Sequence, residues 1–216
     1  LVDTDAQYQA VFIYPADLSG DGLPDIVTGQ YWYENDGNPN GAWTRHGLGG
    51  PIKNVAAVGD FDNDGDLDVL GTKGTPFGNG FAWVENDGGG NLTVHDNLPS
   101  GVGDFLQGVN VVDLFPGGTP EVLLSWHNKS STQYFSPASP ASDPWTHSVL
   151  TPETNGEQMD VTDFDGDGDL DIHLGESWLR NESGVWTMYP TFALSAGEVD
   201  RLKLADIDSD GEQAMS

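Results

Sequence analysis

Cysteine is absent from this chain of 216 residues, which excludes a disulfide framework, a zinc-thiolate site and a thiol nucleophile. Basic residues are also scarce, because only 7 lysines and arginines accompany 35 acidic residues, for a formal net charge of −28. The few cations are scattered, so no basic stripe exists that could neutralise the phosphates of nucleic acid or of an anionic membrane. No apolar run approaches the roughly 18 residues of a membrane-spanning helix. We therefore expect no nucleic-acid partner and no membrane insertion.

Aromatic residues, in contrast, are plentiful, with 7 tryptophans, 9 phenylalanines and 6 tyrosines. They are enough to fill a sizeable core, so the high charge is not that of a disordered chain. The composition therefore predicts a folded protein that gathers its carboxylates at particular places.

A nine-residue acidic segment recurs five times along the chain. The copies begin at residues 17, 60, 113, 163 and 206, so their spacings are 43, 53, 50 and 43 residues. The second copy reads DFDNDGDLD and the fourth reads DFDGDGDLD. A W-x-x-N step follows three of the copies, at Trp32–Asn35, Trp83–Asn86 and Trp178–Asn181. A fixed period of about 40 to 50 residues is typical of a repeat architecture.

Each repeat is rich in short β-forming runs separated by glycine, asparagine, aspartate and proline. In the second repeat these runs lie near residues 55–59, 68–72, 81–86 and 92–96, and no helical periodicity of useful length is present. Four short strands per repeat predict an all-β fold, a β-propeller of four-stranded blades. The recurring tryptophans are expected to pack between adjacent blades.

The repeats predict a single β-propeller domain over residues 1–216, with four complete blades and a partial fifth. The predicted blades span approximately residues 8–48, 55–98, 108–150, 158–192 and 200–216. An unclosed ring would leave exposed strand edges. We therefore expect a further segment of a longer chain, or a partner chain, to complete the ring.

The acidic segment has the composition of a loop that binds a hard cation. Carboxylates stand at positions 1, 3, 5 and 9 of the second and fourth copies, and glycine at position 6 permits a sharp turn. Calcium takes about 6 to 8 oxygen ligands, and position 7 can add a main-chain oxygen. Crowded carboxylates repel one another, and a divalent ion relieves that repulsion. The alternative is that the segments are solvated Asp-Gly turns without a metal.

We expect two strong calcium sites and up to two weaker ones. The complete loops offer Asp60, Asp62, Asp64, Asp66 and Asp68, and Asp163, Asp165, Asp167, Asp169 and Asp171. The weaker loops offer Asp17, Ser19, Asp21 and Asp25, and Asp206, Asp208 and Asp210. The neutral Ser19 weakens the first loop, and Ala214 at position 9 deprives the fifth loop of one carboxylate. The third loop has Phe115 and Gly117 where ligands belong, and we expect it to bind no metal.

These loops, followed by Asp-Ile-Val or Asp-Val-Leu within units of this length, resemble the FG-GAP or VCBS repeats of integrin-alpha-like β-propellers. The resemblance covers almost the entire chain. It implies calcium loops on one face of a propeller and ligands that engage the opposite face or the seams between blades. The degenerate third loop and the missing blades depart from the family pattern.

Loops positioned by a rigid scaffold are where binding residues concentrate. If the acidic loops lie on a lower face, the connections between second and third strands, and those between blades, open on an upper face. Residues expected there are Lys73, Phe77, Trp126 and His127, near Asp104, Phe105 and Gln107. Aromatic rings beside polar groups suit a sugar. The alternative is that Phe77 and Trp126 pack within their own loops.

Catalytic signatures are missing, since the chain has no G-x-S-x-G elbow, H-E-x-x-H helix, P-loop or dinucleotide glycine motif. We expect a recognition module for carbohydrate or an extracellular protein, secreted or on the cell surface. Calcium sites of the weak extracellular kind, with Kd of about 10⁻⁴ to 10⁻³ M, favour that location. Two alternatives stay open. One is the propeller domain of a polysaccharide-active enzyme, a lyase or a sugar dehydratase, and the other is a structural or adhesion module of an extracellular assembly.

Overall fold

The computed structural model describes residues 10–38, 40–127, 131–137, 143–152 and 158–191, together with the backbone of two short strands at 204–205 and 214–215. Every regular element within these ranges is a β-strand. No helix in the described residues has the length and apolarity needed to cross a membrane. The expectation of an all-β fold is confirmed.

The strands form four antiparallel four-stranded sheets, each a meander in chain order. The first sheet contains β1 (Ile13–Ala16), β2 (Asp25–Thr28), β3 (Tyr31–Glu34) and β4 (Thr44–Gly47). The second contains β5 (Ile52–Gly59), β6 (Asp68–Lys73), β7 (Gly80–Asn86) and β8 (Leu92–His95). The third contains β9 (Leu106–Val112), β10 (Glu121–Trp126), β11 (Thr132–Ser136) and β12 (Thr146–Thr151). The fourth contains β13 (Met159–Thr162), β14 (Asp171–Leu174), β15 (Ser177–Glu182) and β16 (Val185–Pro190).

A further two-stranded sheet pairs β17 (Leu204–Ala205) with β18 (Ala214–Met215). Each of the first four repeats thus folds as one four-stranded antiparallel sheet, which is the arrangement of propeller blades. The extent of the domain and the way in which the ring is completed stay predictions.

Neighbouring sheets pack face to face through residues that alternate along the strands. Cross-strand pairs on one face of a sheet cluster with residues of the next sheet. These contacts are Val27 and Trp32 against Val69 and Val84, Leu70 and Trp83 against Val122 and Leu124, and Leu123 and Tyr134 against Ile172 and Leu179. Successive side chains of a strand point to opposite faces, so each sheet offers one face to the preceding blade and the other to the following one. Packing between blades is thereby confirmed for Trp32 and Trp83, whereas Trp178 is only half-buried.

The fourth blade carries a histidine where the other three blades carry an aliphatic residue. His173 lies opposite Trp178, as Leu70 lies opposite Trp83, and it is 1% exposed. Burial lowers the pKa of His173 below its usual value, so the ring is neutral at pH 7. Neither ring nitrogen has a hydrogen-bond partner in the described part of the chain. This face of the fourth blade is therefore more polar than the corresponding faces of the first three.

The meander places the two kinds of connection at opposite ends of each sheet. We call the end with the links between first and second strands the lower end, and the other the upper end. At the upper end, backbone hydrogen bonds tie the second blade to the third. Two such bonds run from Gly101 N to Asn79 O at 2.8 Å and from Leu106 N to Phe77 O at 3.2 Å. Within the third blade, His127 N donates to Phe105 O at 2.9 Å, which joins the end of β10 to the segment before β9. These upper loops are therefore held together as one surface.

Candidate metal centres

Four acidic segments form hairpin loops at the lower end, between β1 and β2, β5 and β6, β9 and β10, and β13 and β14. The glycine at position 6 of each has a positive φ, a backbone conformation that other residues rarely adopt. The angles are 87° for Gly22, 99° for Gly65, 115° for Gly118 and 97° for Gly168. The sharp turn expected at this position is confirmed in all four loops.

The carboxylate at position 1 shapes the turn by accepting backbone hydrogen bonds. Asp163 Oδ1 accepts from the N–H groups of Gly166 at 2.8 Å and Asp167 at 3.1 Å, while Oδ2 accepts from Gly168 at 2.9 Å. The equivalent donors are Gly20, Asp21 and Gly22 for Asp17, and Asp64 and Gly65 for Asp60. The first carboxylate is thus a structural cap as well as a candidate ligand.

A buried carboxylate at position 9 ties the loop to the end of the third strand. Asp25, Asp68 and Asp171 are 0%, 0% and 1% exposed. One oxygen accepts from the backbone at position 2, and the other accepts from the asparagine of the W-x-x-N step. Asp25 accepts from the backbone N–H groups of Leu18 at 2.9 Å, Ser19 at 3.1 Å and Asn35 at 2.9 Å. Asp68 accepts from those of Phe61 at 3.0 Å and Asn86 at 2.9 Å. Asp171 accepts from those of Phe164 at 3.0 Å and Asn181 at 2.8 Å. We call this arrangement the carboxylate clamp.

The asparagine completes the clamp with its side chain. Its amide nitrogen donates to the carbonyl at position 8, through Asn35 to Pro24 O at 3.1 Å, Asn86 to Leu67 O at 3.2 Å and Asn181 to Leu170 O at 3.2 Å. Sequence reasoning noticed the W-x-x-N step but assigned the asparagine no role. Its recurrence three residues after a tryptophan in three of the repeats was the signal that could have revealed that role.

Each complete loop brings three carboxylates close enough to share one ion. Positions 1, 3 and 9 place one oxygen each within 4.8 Å of the other two. The groups are Asp60, Asp62 and Asp68 in the second loop, and Asp163, Asp165 and Asp171 in the fourth. Oxygens that bind one calcium ion at about 2.3 to 2.6 Å have separations of this size, so the donor set fits a hard divalent cation.

Other predicted ligands lie outside these two groups. Asp64 and Asp167 at position 5 each accept a hydrogen bond from the backbone N–H two residues further on, at 2.9 Å. The first loop gathers no three carboxylates within the same distance in the described part of the chain, because Ser19 stands at position 3. Asp206, Asp208 and Asp210 of the fifth loop lie outside the described residues. The ligand roles of Asp17, Ser19, Asp21, Asp25, Asp66 and Asp169 stay predictions.

Burial and neighbouring negative charges raise the pKa of two carboxylates in the second loop. Burial raises the pKa of Asp68 to about 7, although two backbone hydrogen bonds oppose the shift, and Asp62 and Asp64 add to the rise. Burial also raises the pKa of Asp62, and the charges of Asp64 and Glu85 add to that shift. A cation among these groups would favour their charged forms. The electrostatics of the loop therefore fit a bound divalent ion.

The fourth loop contains a cation of its own. Nε of Arg180 lies 2.6 Å from Oδ2 of Asp165, and Nη2 lies 3.7 Å from Oδ2 of Asp167. Nη1 lies 2.9 Å from Oε1 of Glu182. The guanidinium thus stands in for part of the positive charge that a metal ion would bring to this loop.

The third loop keeps the loop side of the clamp but not the ligand set. Glu121 at position 9 is 6% exposed, and its Oε2 accepts from Leu114 N at 3.1 Å and Phe115 N at 3.3 Å. The ring of Phe115, at position 3, lies 5.2 Å from that of Tyr134. An aromatic contact stands here in place of a carboxylate. The expectation that this loop binds no metal stays a prediction.

The upper-end residues divide into a buried one and a group that is partly or fully exposed. Trp126 is 0% exposed and packs in the core between the second and third blades. Its ring is covered by Gly103, where an added Cβ would lie 2.0 Å from Trp126 Cδ2. The expectation that Trp126 offers a face to a ligand is therefore corrected, because the loop between β8 and β9 lies over the ring.

The structure does bring Phe77 and His127 together. The rings of Phe77 and Phe105 stack with centroids 4.3 Å apart, and the ring of His127 lies 6.5 Å from that of Phe105. His127 Nδ1 lies 3.3 Å from Asp104 Oδ2. We call Phe77, Asp104, Phe105 and His127 the upper-face patch. Lys73, in the same connection as Phe77, forms an ion pair with Asp96 at 2.5 Å.

Four-stranded sheets in series, with acidic hairpin loops at one end, define a repeat protein of the propeller class. Residues 17–71 match the family model described as an FG-GAP-like repeat. The matched region runs from the first acidic loop through the second one into β6. The match supports the resemblance drawn from the motifs and indicates a repeat-based binding module. No curated protein matches the chain at a significant level.

The clamp predicts a large loss of stability when its carboxylate is removed. Asp25→Ala should lower the free energy of unfolding by about 2 to 4 kcal/mol, because three backbone N–H groups lose a buried acceptor. Asp21→Ala in the same loop should cost less than about 1 kcal/mol, since Asp21 is exposed and accepts from Leu23 N alone. Urea unfolding in a chelator compares the two variants without any contribution from metal. Equal losses of unfolding free energy in the two variants would contradict the stabilising role of the carboxylate clamp.

The raised pKa of Asp68 predicts a pH dependence of the metal-free protein. The folded pKa of about 7 lies above the unfolded value of about 4, so the folded state holds this proton more tightly between them. The contribution of Asp68 to stability is therefore lost as the pH rises through that window. Asp68→Asn removes this titration, so its free energy of unfolding should fall less between pH 4 and pH 7. Parallel pH profiles for the two proteins, from urea unfolding in a chelator, would contradict the shift.

Proposed function

We propose that this chain is a calcium-stabilised β-propeller module that recognises carbohydrate outside the cell. The observation that carries recognition is the upper-face patch, in which aromatic rings and charged groups from two blades meet. The calcium part is supported by the carboxylate groups of the second and fourth loops. An extracellular protein is the alternative ligand.

Calcium is the ion assigned to the loops because of the donor chemistry. The grouped ligands are aspartate oxygens without nitrogen or sulfur, which is the set that hard cations prefer. An ion that binds only the folded state at tenfold excess over its Kd stabilises it by about 1.4 kcal/mol per site. Weak sites, with Kd of about 10⁻⁴ to 10⁻³ M, fill at extracellular calcium levels, which supports a secreted or cell-surface location.

Asp62→Ala should lower the melting temperature by about 3 to 6 °C in millimolar calcium and change it little in a chelator. Asp62, at position 3, is one of the three carboxylates grouped in the second loop, and its Oδ1 accepts an exposed hydrogen bond of 3.3 Å from Asp64 N. Asp113→Ala is the matched control, because Asp113 holds position 1 of the third loop, which lacks carboxylates at positions 3 and 5. Thermal unfolding with and without chelator measures both variants. A loss for Asp62→Ala of the same size in both conditions would contradict the metal assignment.

The upper-face patch has the chemistry of a sugar site. Phe105 offers apolar ring surface, and Phe77 stacks against it from the neighbouring blade. His127 and Asp104 are exposed beside the rings, and their polar atoms suit hydroxyl groups. The backbone bonds between the loops hold these groups in place before a ligand arrives. Binding would therefore require little ordering of the protein.

Phe77→Ala should weaken binding of a glycan by about tenfold or more, because it removes the ring that supports Phe105. Phe115→Ala is the matched control, since Phe115 is another partly exposed phenylalanine with an aromatic neighbour, at the lower end of the molecule. A glycan array in calcium selects the ligand, and calorimetry with that glycan compares the variants. Binding that is lost equally in both, or that resists Phe77→Ala, would contradict this placement.

The same samples discriminate among the alternatives. New ultraviolet absorbance after incubation with an acidic polysaccharide would favour the propeller domain of a lyase. Binding to an extracellular protein without binding to any glycan would favour protein recognition. A ring completed by another chain, seen by scattering or microscopy, would favour a structural or adhesion module.

A further inference from the structure

One position of the third strand differs in charge between blades. It precedes the asparagine of the W-x-x-N step and holds Glu34, Glu85 and Arg180 in the first, second and fourth blades. In the second and fourth blades, the charge at this position affects the acidic loop of the same blade. Arg180 contacts that loop directly, and the charge of Glu85 adds to the repulsion felt by Asp62.

Arg180 is placed to compete with a metal ion. Two of its nitrogens contact Asp165 and Asp167, which are positions 3 and 5 of the fourth loop. The side chain is 29% exposed, so water only partly screens these contacts. Its third contact, with Glu182, lies outside the loop and gives the guanidinium a partner that calcium would not use.

Within the described residues, the second loop has no such counter-ion. Glu85 Oε2 lies 2.6 Å from Nε2 of His95, so this extra carboxylate is engaged with a histidine at the rim of the blade. In the described part of the chain, no lysine or arginine forms an ion pair with a carboxylate of residues 60–68. The two complete loops therefore have the same motif but opposite charges beside it.

We propose that Arg180 is a built-in counter-ion that sets the calcium affinity of the fourth loop below that of the second. The inference rests on the proposed calcium function of the loops. Calcium enters the fourth loop only when the guanidinium withdraws from Asp165 and Asp167, because two cations so close together repel. One charge at a partly exposed site changes the affinity by about tenfold. The second loop therefore fills first, and the fourth fills at higher calcium.

Hydrogen exchange of the full chain across a calcium titration tests this order. Peptides covering residues 60–68 and 163–171 report the two loops separately. In the unmodified protein, the calcium concentration at which protection is half complete (the midpoint) should be about tenfold higher for the fourth loop than for the second. Arg180→Gln should lower the midpoint of the fourth loop by about tenfold and leave the second unchanged. Arg45→Gln, an equal change of charge at an exposed site in the first blade, should move neither midpoint.

Glu85→Arg is the reciprocal variant and should raise the midpoint of the second loop. If Arg180→Gln fails to fold, the proposal is tested by two other results. These are the order of the two midpoints in the unmodified protein and the shift of the second-loop midpoint in Glu85→Arg. Equal midpoints that neither variant moves would overturn the role of Arg180 while leaving calcium binding intact. Absence of any calcium-dependent protection in either loop would instead overturn the proposed calcium function.

Discussion

The first, second and fourth blades each depend on a buried carboxylate that accepts backbone hydrogen bonds from two directions. Its two oxygens join the start of the acidic loop to the end of the third strand, and the first and second strands leave from the same loop. A carboxylate can accept several bonds at once, so one side chain satisfies donors that would otherwise be buried without partners. The third blade uses Glu121 for the loop side of this clamp, although it has lost the carboxylates at positions 3 and 5. The clamp and the ligand set are therefore separable features of one motif.

Burial of this carboxylate creates the electrostatic problem that the rest of the loop must solve. Two further carboxylates converge on it in each complete loop. In the second loop, burial raises the pKa of Asp68 to about 7, and the charges of Asp62 and Asp64 add to the rise. A bound metal ion would balance these negative charges from outside the protein. In the fourth loop, the guanidinium of Arg180 supplies positive charge from the protein itself. The same motif can therefore be balanced by different means in different blades.

The repeat pattern predicted the strands and the position of the acidic loops well, because periodic turns and β-forming runs are local properties of the sequence. The strands expected near 68–72 and 81–86 are β6 and β7 with small changes at their ends. The burial of Trp126 was not predictable, because it depends on a loop that crosses from the preceding blade and covers the ring. The contact of Arg180 with Asp165 was not predictable either, since it joins a residue of β15 to a residue of the acidic loop, and the sequence gives no distance between them.

Hydrogen bonds join neighbouring loops at both ends of the sheets, but different groups form them. Asn86 donates to Leu67 O of its own loop and also to Leu18 O of the first loop, so adjacent acidic loops are in direct contact. At the upper end, Gln133 is fully buried and holds the backbone of Val102 through both a donor and an acceptor, which fixes the loop that carries Phe105. A buried glutamine of the third blade therefore positions that half of the upper-face patch.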